Sequence, residues 1–128
     1  MKHRMIKLLV AAGFTVALAA SAFWIFMTYW VREERARGLE RDISAFAATH
    51  GDRLPYNWKE FLAFVNEPQG GPWSESQLQQ FAALRWGHEM RYPAADGKYI
   101  YIHDRHYQYL ESELNKDFDR ETGPPINP

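Results

Sequence analysis

The chain contains no cysteine. That excludes a disulfide framework, a thiolate metal site and a cysteine nucleophile. It has no charged residue from Leu8 to Val31 and no proline before Pro55. The first absence leaves that segment nothing that water would hold; the second leaves nothing to break a helix. Basic residues are not in excess either. Residues 32–128 carry twelve basic against sixteen acidic side chains, a net charge of −4, which argues against nucleic acid as a partner, since phosphate binding needs clustered Lys and Arg. There is no G-x-S-x-G, no P-loop and no H-E-x-x-H; His88-Glu89 is only a dipeptide, and Glu111 and Glu113 read as surface charge. The chain is therefore not expected to be an enzyme, to hold a cofactor or to turn over a small-molecule substrate.

What is present begins with the run LLVAAGFTVALAASAFWIFMTYWV, Leu8 to Val31. As a helix it is about 36 Å long, enough to cross a hydrocarbon core of roughly 30 Å with some tilt. Tyr29 and Trp30 stand just before Arg32, where an aromatic belt would lie. The alternative is a cleaved secretory signal, with Lys2, Arg4 and Lys7 as its basic start and Ala20-Ser21-Ala22 as its small-x-small cleavage site. Cleavage there would leave Phe23 to Val31, a large apolar segment, at a new N-terminus in water. A retained anchor is the expectation, with membrane lipids and the helices of other membrane proteins as partners. Three basic residues precede the span, and Arg32, Arg35, Arg37 and Arg41 follow it, so the positive-inside rule nearly ties. The N-terminal side is short and purely basic, which favours a cytoplasmic N-terminus, an inner-membrane span and an extracytoplasmic globular part.

The chain divides on this reading into a basic flank (1–7), a transmembrane helix (8–31), a small soluble domain (32–121) and an irregular proline-rich tail (122–128). Ala36, Leu39, Ile43, Phe46 and Ala47 recur at offsets of three and four, with Arg37, Glu40, Arg41 and Asp42 on the other face. One helix from about residue 6 to about 50 is predicted, closing at Gly51; two helices with a hinge near Arg32–Gly38 is the alternative. A second helix fits Asn57–Asn66, capped by Asn57 with Glu60 at its third position. Glu67 to Pro72 is a breaker loop. A third helix starts at the cap Ser74, with Gln77 three residues on and Leu78, Phe81, Ala82 and Leu84 on its apolar side, and closes at Gly87. Strands are expected at Met90–Tyr92, Lys98–His103 and His106–Leu110, with Ala94–Gly97 a turn and Ile102 facing Tyr107, Ile100 facing Tyr109. The fold class is thus α+β: a long N-terminal helix, two short helices and a small antiparallel sheet of about three strands.

Two groups have weak metal-ligand character. His103 and His106 would oppose each other across the expected hairpin, with His88 or Asp104 as a third ligand for zinc or copper. Two histidines fall far short of a four-ligand pattern, and exposed polar residues at a turn is the plainer reading. Asn115, Asp117, Asp119 and Glu121 alternate as calcium-loop oxygens do. The glycine such a loop needs at its sixth place is Arg120 here, and a solvated acidic tail is the plainer reading.

A basic start, an apolar helix running on as an amphipathic one, a helical connection and a small sheet: this order resembles the type IV pilin and type II secretion pseudopilin family. Gly13-Phe14-Thr15 is similar to the family's processing point, where a peptidase cuts after glycine. Ile43 to Pro55 resembles its helix end, where a glycine and then a proline follow. The family's glutamate would fall at position 18, where this chain has Leu18, and Met5-Ile6 and Leu8 to Ala12 are more apolar than the family's leaders. The resemblance implies a single-pass structural subunit of the cell envelope whose helices pack side by side. Gly13, Ala17, Ala20 and Ser21 are its candidate packing residues, because small side chains let helices approach closely in lipid. An accessory subunit of a larger respiratory or photosynthetic membrane complex, and a membrane-tethered metal-binding domain, are the other readings.

Overall fold

The computed structural model describes residues 2–65 and 73–122. The chain forms two compact units, Met1–Glu34 and Arg35–Pro128. Helix α1, Lys2–Thr49, contributes to both without interruption, so the hinge alternative at Arg32–Gly38 does not occur. In the second unit α1 buries Ala36, Leu39, Ile43, Phe46 and Ala47, the stripe its spacing predicts. Glu40, assigned to the polar face, is also buried at 8% exposure; it lies next to the stripe, one residue after Leu39 and three before Ile43.

The end of α1 is over-determined. Gly51 takes φ 68° and Asp52 φ 58°, and the Asp52 N–H donates to the Ala47 carbonyl at 2.8 Å, which turns the chain and satisfies an orphan carbonyl. The His50 imidazole lies flat on Phe46, 3.8 Å between centroids, with Nδ1 2.8 Å from the Phe46 carbonyl. Helix α2, Trp58–Val65, is capped as expected: Asn57 Oδ1 accepts the Glu60 N–H at 2.8 Å. Helix α3, Glu75–Phe81, has the reciprocal Ser74–Gln77 capping box, also as its sequence predicts.

Beyond Phe81 the structure corrects the reading. The third helix does not continue to Gly87. Residues Ala82–Leu84 form strand β1, paired antiparallel with β2, Ile100–Ile102, in the register Ala82–Ile102, Ala83–Tyr101, Leu84–Ile100. The run Phe81-Ala82-Ala83-Leu84 fits a period of 3.6 as well as one of 2, and burial of Ala82 and Leu84 on one side of an extended chain decides it. The Trp58 indole holds the new direction by donating to the Ala82 carbonyl at 3.0 Å.

Among the described residues the sheet has two strands, not about three. His106–Leu110 is not a strand: Tyr107 donates its N–H to the Asp104 carbonyl at 3.0 Å, Gln108–Leu110 is a 3₁₀ turn, and Tyr109 is exposed instead of facing Ile100. Asp104-Arg105 lacks the glycine or asparagine a tight hairpin requires, and the chain turns into helix α4, Glu111–Thr122, instead. Met90–Tyr92 forms no strand either; its neighbour Glu89 makes a single bridge with Arg53. The Ala94–Gly97 turn is present, with Gly97 at φ 70° and its N–H donating to the Ala94 carbonyl at 3.0 Å. The acidic tail expected from Asn115 onward is α4 itself. The loop Glu67–Pro72, Asn66 and the tail from Gly123 lie outside the described residues.

The core gathers Phe46, Phe61, Phe81, Leu84, Ile100, Leu110 and Phe118, one from each element of the second unit. Each such side chain contributes about 1.5–3 kcal/mol by leaving water.

Candidate functional site

The first unit is one helix whose side chains are turned outward. From Lys2 to Phe26 every residue is exposed, including Phe14, Leu18, Trp24 and Phe26, each more than half accessible. Among the described residues α1 is the one helix long and apolar enough to cross a membrane, and none of its most apolar window is buried. The two threonines of the uncharged stretch Leu8–Val31 suit a lipid solvent. Thr15 Oγ1 donates to the Ala11 carbonyl at 2.9 Å and Thr28 Oγ1 to the Trp24 carbonyl at 2.8 Å, so both hydroxyls are satisfied within the helix, as lipid demands. At the far end the Arg32 guanidinium sits 5.8 Å over the Tyr29 ring, beside Trp30, the pairing of aromatic and cation that suits a headgroup layer.

The predicted packing residues fall together. At 100° per residue, Gly13, Ala17, Ala20 and Ser21 span an arc of about 100° on one side of α1. A Cβ at Gly13 would meet nothing within 4 Å, so this side is free for another helix. Phe14, beside the candidate processing point, is exposed as well.

The predicted metal ligands do not converge. Without the hairpin His103 and His106 are not opposed; His103 follows β2 and donates its backbone N–H to Phe81 at 2.8 Å, while His106 lies in the next turn with its N–H on Asp104 Oδ1 at 2.9 Å. The oxygens of α4 serve the fold. Asp117 is 3.7 Å from Arg37 of α1 and 3.8 Å from Arg120. Asp119 accepts the Tyr99 hydroxyl at 2.9 Å. Asn115 is bonded to the backbone of Tyr99 and of Ile100 in β2. A helix also fans these residues around its axis where a calcium loop would gather them. Of Glu121 only the backbone, in the last turn of α4, is described. Among the described residues no three His, Asp or Glu side chains come together as a metal site.

The strongest electrostatic groupings are staples. Arg53 donates to both Glu60 oxygens at 2.8 and 3.0 Å, and Glu60 also takes the Tyr56 N–H at 2.8 Å. The Arg53 hydrogen bonds, helped by that N–H, hold the Glu60 carboxyl down at about 2. Asp96 binds the Lys98 N–H, Tyr101 and Arg85; the Lys98 N–H is the main cause of its lowered pKa. These pairs tie loops to elements; Asp96 and Lys98 also border a groove of about 440 Å³ beside α4.

One surface groove was not foreseen from sequence. It has a volume of about 250 Å³ and lies where Tyr56, Asn57, Trp86, α3 and the end of β2 meet. Its only sequence signal is two aromatic residues at turns, Tyr56 after Pro55 and Trp86 before Gly87. No protein-family model matches the chain, and neither the curated proteins nor the solved structures hold a significant match to it.

Proposed function

We propose that the chain is a single-pass, membrane-anchored structural subunit, pilin- or pseudopilin-like in layout, that acts by packing α1 against other helices in the membrane. The observation that carries this reading is the outward-turned, uncharged stretch Leu8–Val31 of α1, continuing as one helix into the part that packs in the globular core. An apolar surface of that size in water would drive association or precipitation; in lipid it costs nothing. Small residues then favour helix partners over lipid on one face. The span lies in the inner membrane with Lys2, Arg4 and Lys7 in the cytoplasm and the globular unit outside. The pure positive charge of the N-terminal flank supports that orientation.

Because the chain has no cysteine, single-cysteine variants test the reading cleanly. Ala17→Cys and Ala20→Cys in native membranes should give disulfide-linked dimers on mild oxidation, whereas Ala22→Cys, on the opposite side of the helix, should not. Equal cross-linking at all three positions would contradict a specific face. A mass for the mature chain that begins at Phe14 supports processing of the pilin kind; an intact Met1 removes that part of the proposal. Cross-links to a different protein in place of a second copy would favour the accessory-subunit reading.

A further inference from the structure

We propose that the groove between Tyr56, Trp86 and α3 binds a pyranose ring of a glycan, with Trp86 as the stacking platform and Asn57, Glu75, Gln79 and His103 as hydroxyl partners. This goes beyond the anchoring role and rests on different residues. The groove measures about 250 Å³, below the roughly 300–1,000 Å³ of pockets for drug-sized ligands. That size suits one ring and not a nucleotide or an acyl chain.

Its walls are fixed before any ligand arrives. Trp58 is locked by its indole bond to the Ala82 carbonyl at 3.0 Å, and Trp86 stands edge-to-face against Trp58 at 5.2 Å and 89°. Tyr56 carries the Arg53 guanidinium 4.1 Å over one face of its ring and sets a ring edge against Gly87, where even a Cβ would lie 2.6 Å from Cδ1 and Cε1. The backbone of His103 is tied to Phe81. A rigid aromatic surface loses little freedom on binding, which is what a weakly held polar ligand requires.

The chemistry of the rim selects the ligand. Among the described residues the Trp86 indole N–H, the His103 imidazole and the Asn57 amide nitrogen have no hydrogen-bond partner, and the Gln79 amide reaches only Glu75, at 3.4 Å. Amide, imidazole and carboxylate groups offer donors and acceptors together, the combination that vicinal hydroxyls satisfy. No Lys or Arg lines the groove, which disfavours a phosphate or other anion. One carboxylate and the exposed Trp86 face are too few for an ammonium cage, and the Arg53 guanidinium already over a face of Tyr56 would repel a second cation. An exposed indole, 40% accessible, beside neutral polar groups matches the apolar face and hydroxyl edge of a sugar.

The test uses the full chain in detergent, titrated separately with cellotetraose, chitotetraose, maltotetraose and xylotetraose, and followed by tryptophan fluorescence and calorimetry. At least one should bind with a dissociation constant of about 0.1–5 mM, an affinity suited to one stacked ring with a few hydrogen bonds. Trp86→Ala should weaken that binding about tenfold or more, and Gln79→Ala about threefold to tenfold. Gln79 is exposed, so its variant should keep the thermal transition of the parent chain, which guards against a Trp86→Ala chain that fails to fold. No binding of any of the four sugars at about 10 mM overturns the proposal. So does binding that both substitutions leave unchanged, or Trp86-dependent binding of tetramethylammonium in place of sugar.

Discussion

Asn115 closes both backbone groups of Ile100. Its Oδ1 accepts the Ile100 N–H at 3.0 Å and its Nδ2 donates to the Ile100 carbonyl at 3.1 Å, while the same Oδ1 also takes the Tyr99 N–H at 2.7 Å. Ile100 faces Leu84 at a position where its own N–H and C=O point away from β1. A third strand would normally fill that edge. Here one amide on α4 does so, and the edge that could recruit a foreign strand is closed. Asn115→Ala should cost about 2–4 kcal/mol, because it strands buried backbone groups as well as losing the bonds. Asn115→Asp should also destabilise, since it keeps the acceptor, loses the donor to Ile100 and adds a buried charge. Chemical denaturation of the full chain in detergent measures both; a loss below about 0.5 kcal/mol for Asn115→Ala would show that the edge is not held this way.

That relationship also explains why the sequence was legible in its first half and misleading in its second. Local signals decide α1, its end at Gly51, and the caps Asn57 and Ser74, and each of these needs only neighbours three or four residues away. The sheet depends on distant partners. Ala82–Leu84 is extended because Ile100–Ile102 and the Trp58 indole meet it, 18 and 24 residues away. Nothing within the segment Phe81–Leu84 separates a helix period from a strand period. Gln108–Leu110 and α4 are likewise settled by Leu110, Leu114 and Phe118 reaching the core, a spacing of four that the polar residues between them obscured. The aromatic groove was invisible for the same reason, since Tyr56, Glu75, Trp86 and His103 are brought together only by the tertiary fold.

Three glycines should respond to alanine in three ways. Gly87 sits at φ 68° with the Tyr56 ring 2.6 Å from a Cβ, so Gly87→Ala meets both backbone strain and a clash with a ring pinned by Arg53. It should lose about 2–4 kcal/mol. Gly97 has φ 70° but open space, and Gly97→Ala should lose only about 1–2 kcal/mol. Gly38 is helical with nothing within 4 Å, so Gly38→Ala should gain up to about 1 kcal/mol. Thermal unfolding of the three variants should rank them in that order; a neutral Gly87→Ala would mean that Tyr56 is not held against the glycine.

The Arg53–Glu60 staple makes stability depend on acid pH. The Glu60 carboxyl titrates at about 2 in the folded chain, below its ordinary value near 4.3. A depressed carboxyl stabilises the fold fully above its unfolded value, and that contribution fades as pH falls from about 4.5 towards 2. Both partners are partly exposed, 21% and 29%, so the effect is modest. Glu60→Gln should cost about 1 kcal/mol at pH 7. The difference between parent and variant should shrink as pH falls from about 4.5 and vanish near pH 2, where the parent's carboxyl is protonated too and the ion pair is gone. A difference that stays constant from pH 7 to pH 2 would assign the loss to packing instead of charge.

The span itself makes the sharpest demand. In water the exposed helix face would gain from added charge; in lipid a charge near the centre of Leu8–Val31 costs about 2.5–3.5 kcal/mol on an insertion scale. Leu18→Arg combined with Ala22→Arg therefore removes about 5–7 kcal/mol of insertion free energy, and the chain should move from the carbonate-resistant membrane pellet to the supernatant or to an aggregate. The two substitutions lie in the first unit, where both residues are exposed, so the globular core that begins at Arg35 does not sense them. Thr15→Val should leave fractionation unchanged, because the Thr15 hydroxyl already spends its donor on Ala11 and presents little unsatisfied polarity to lipid. A double-arginine chain that stays in the pellet as firmly as the parent would mean that the Leu8–Val31 segment is not what holds this protein to the membrane.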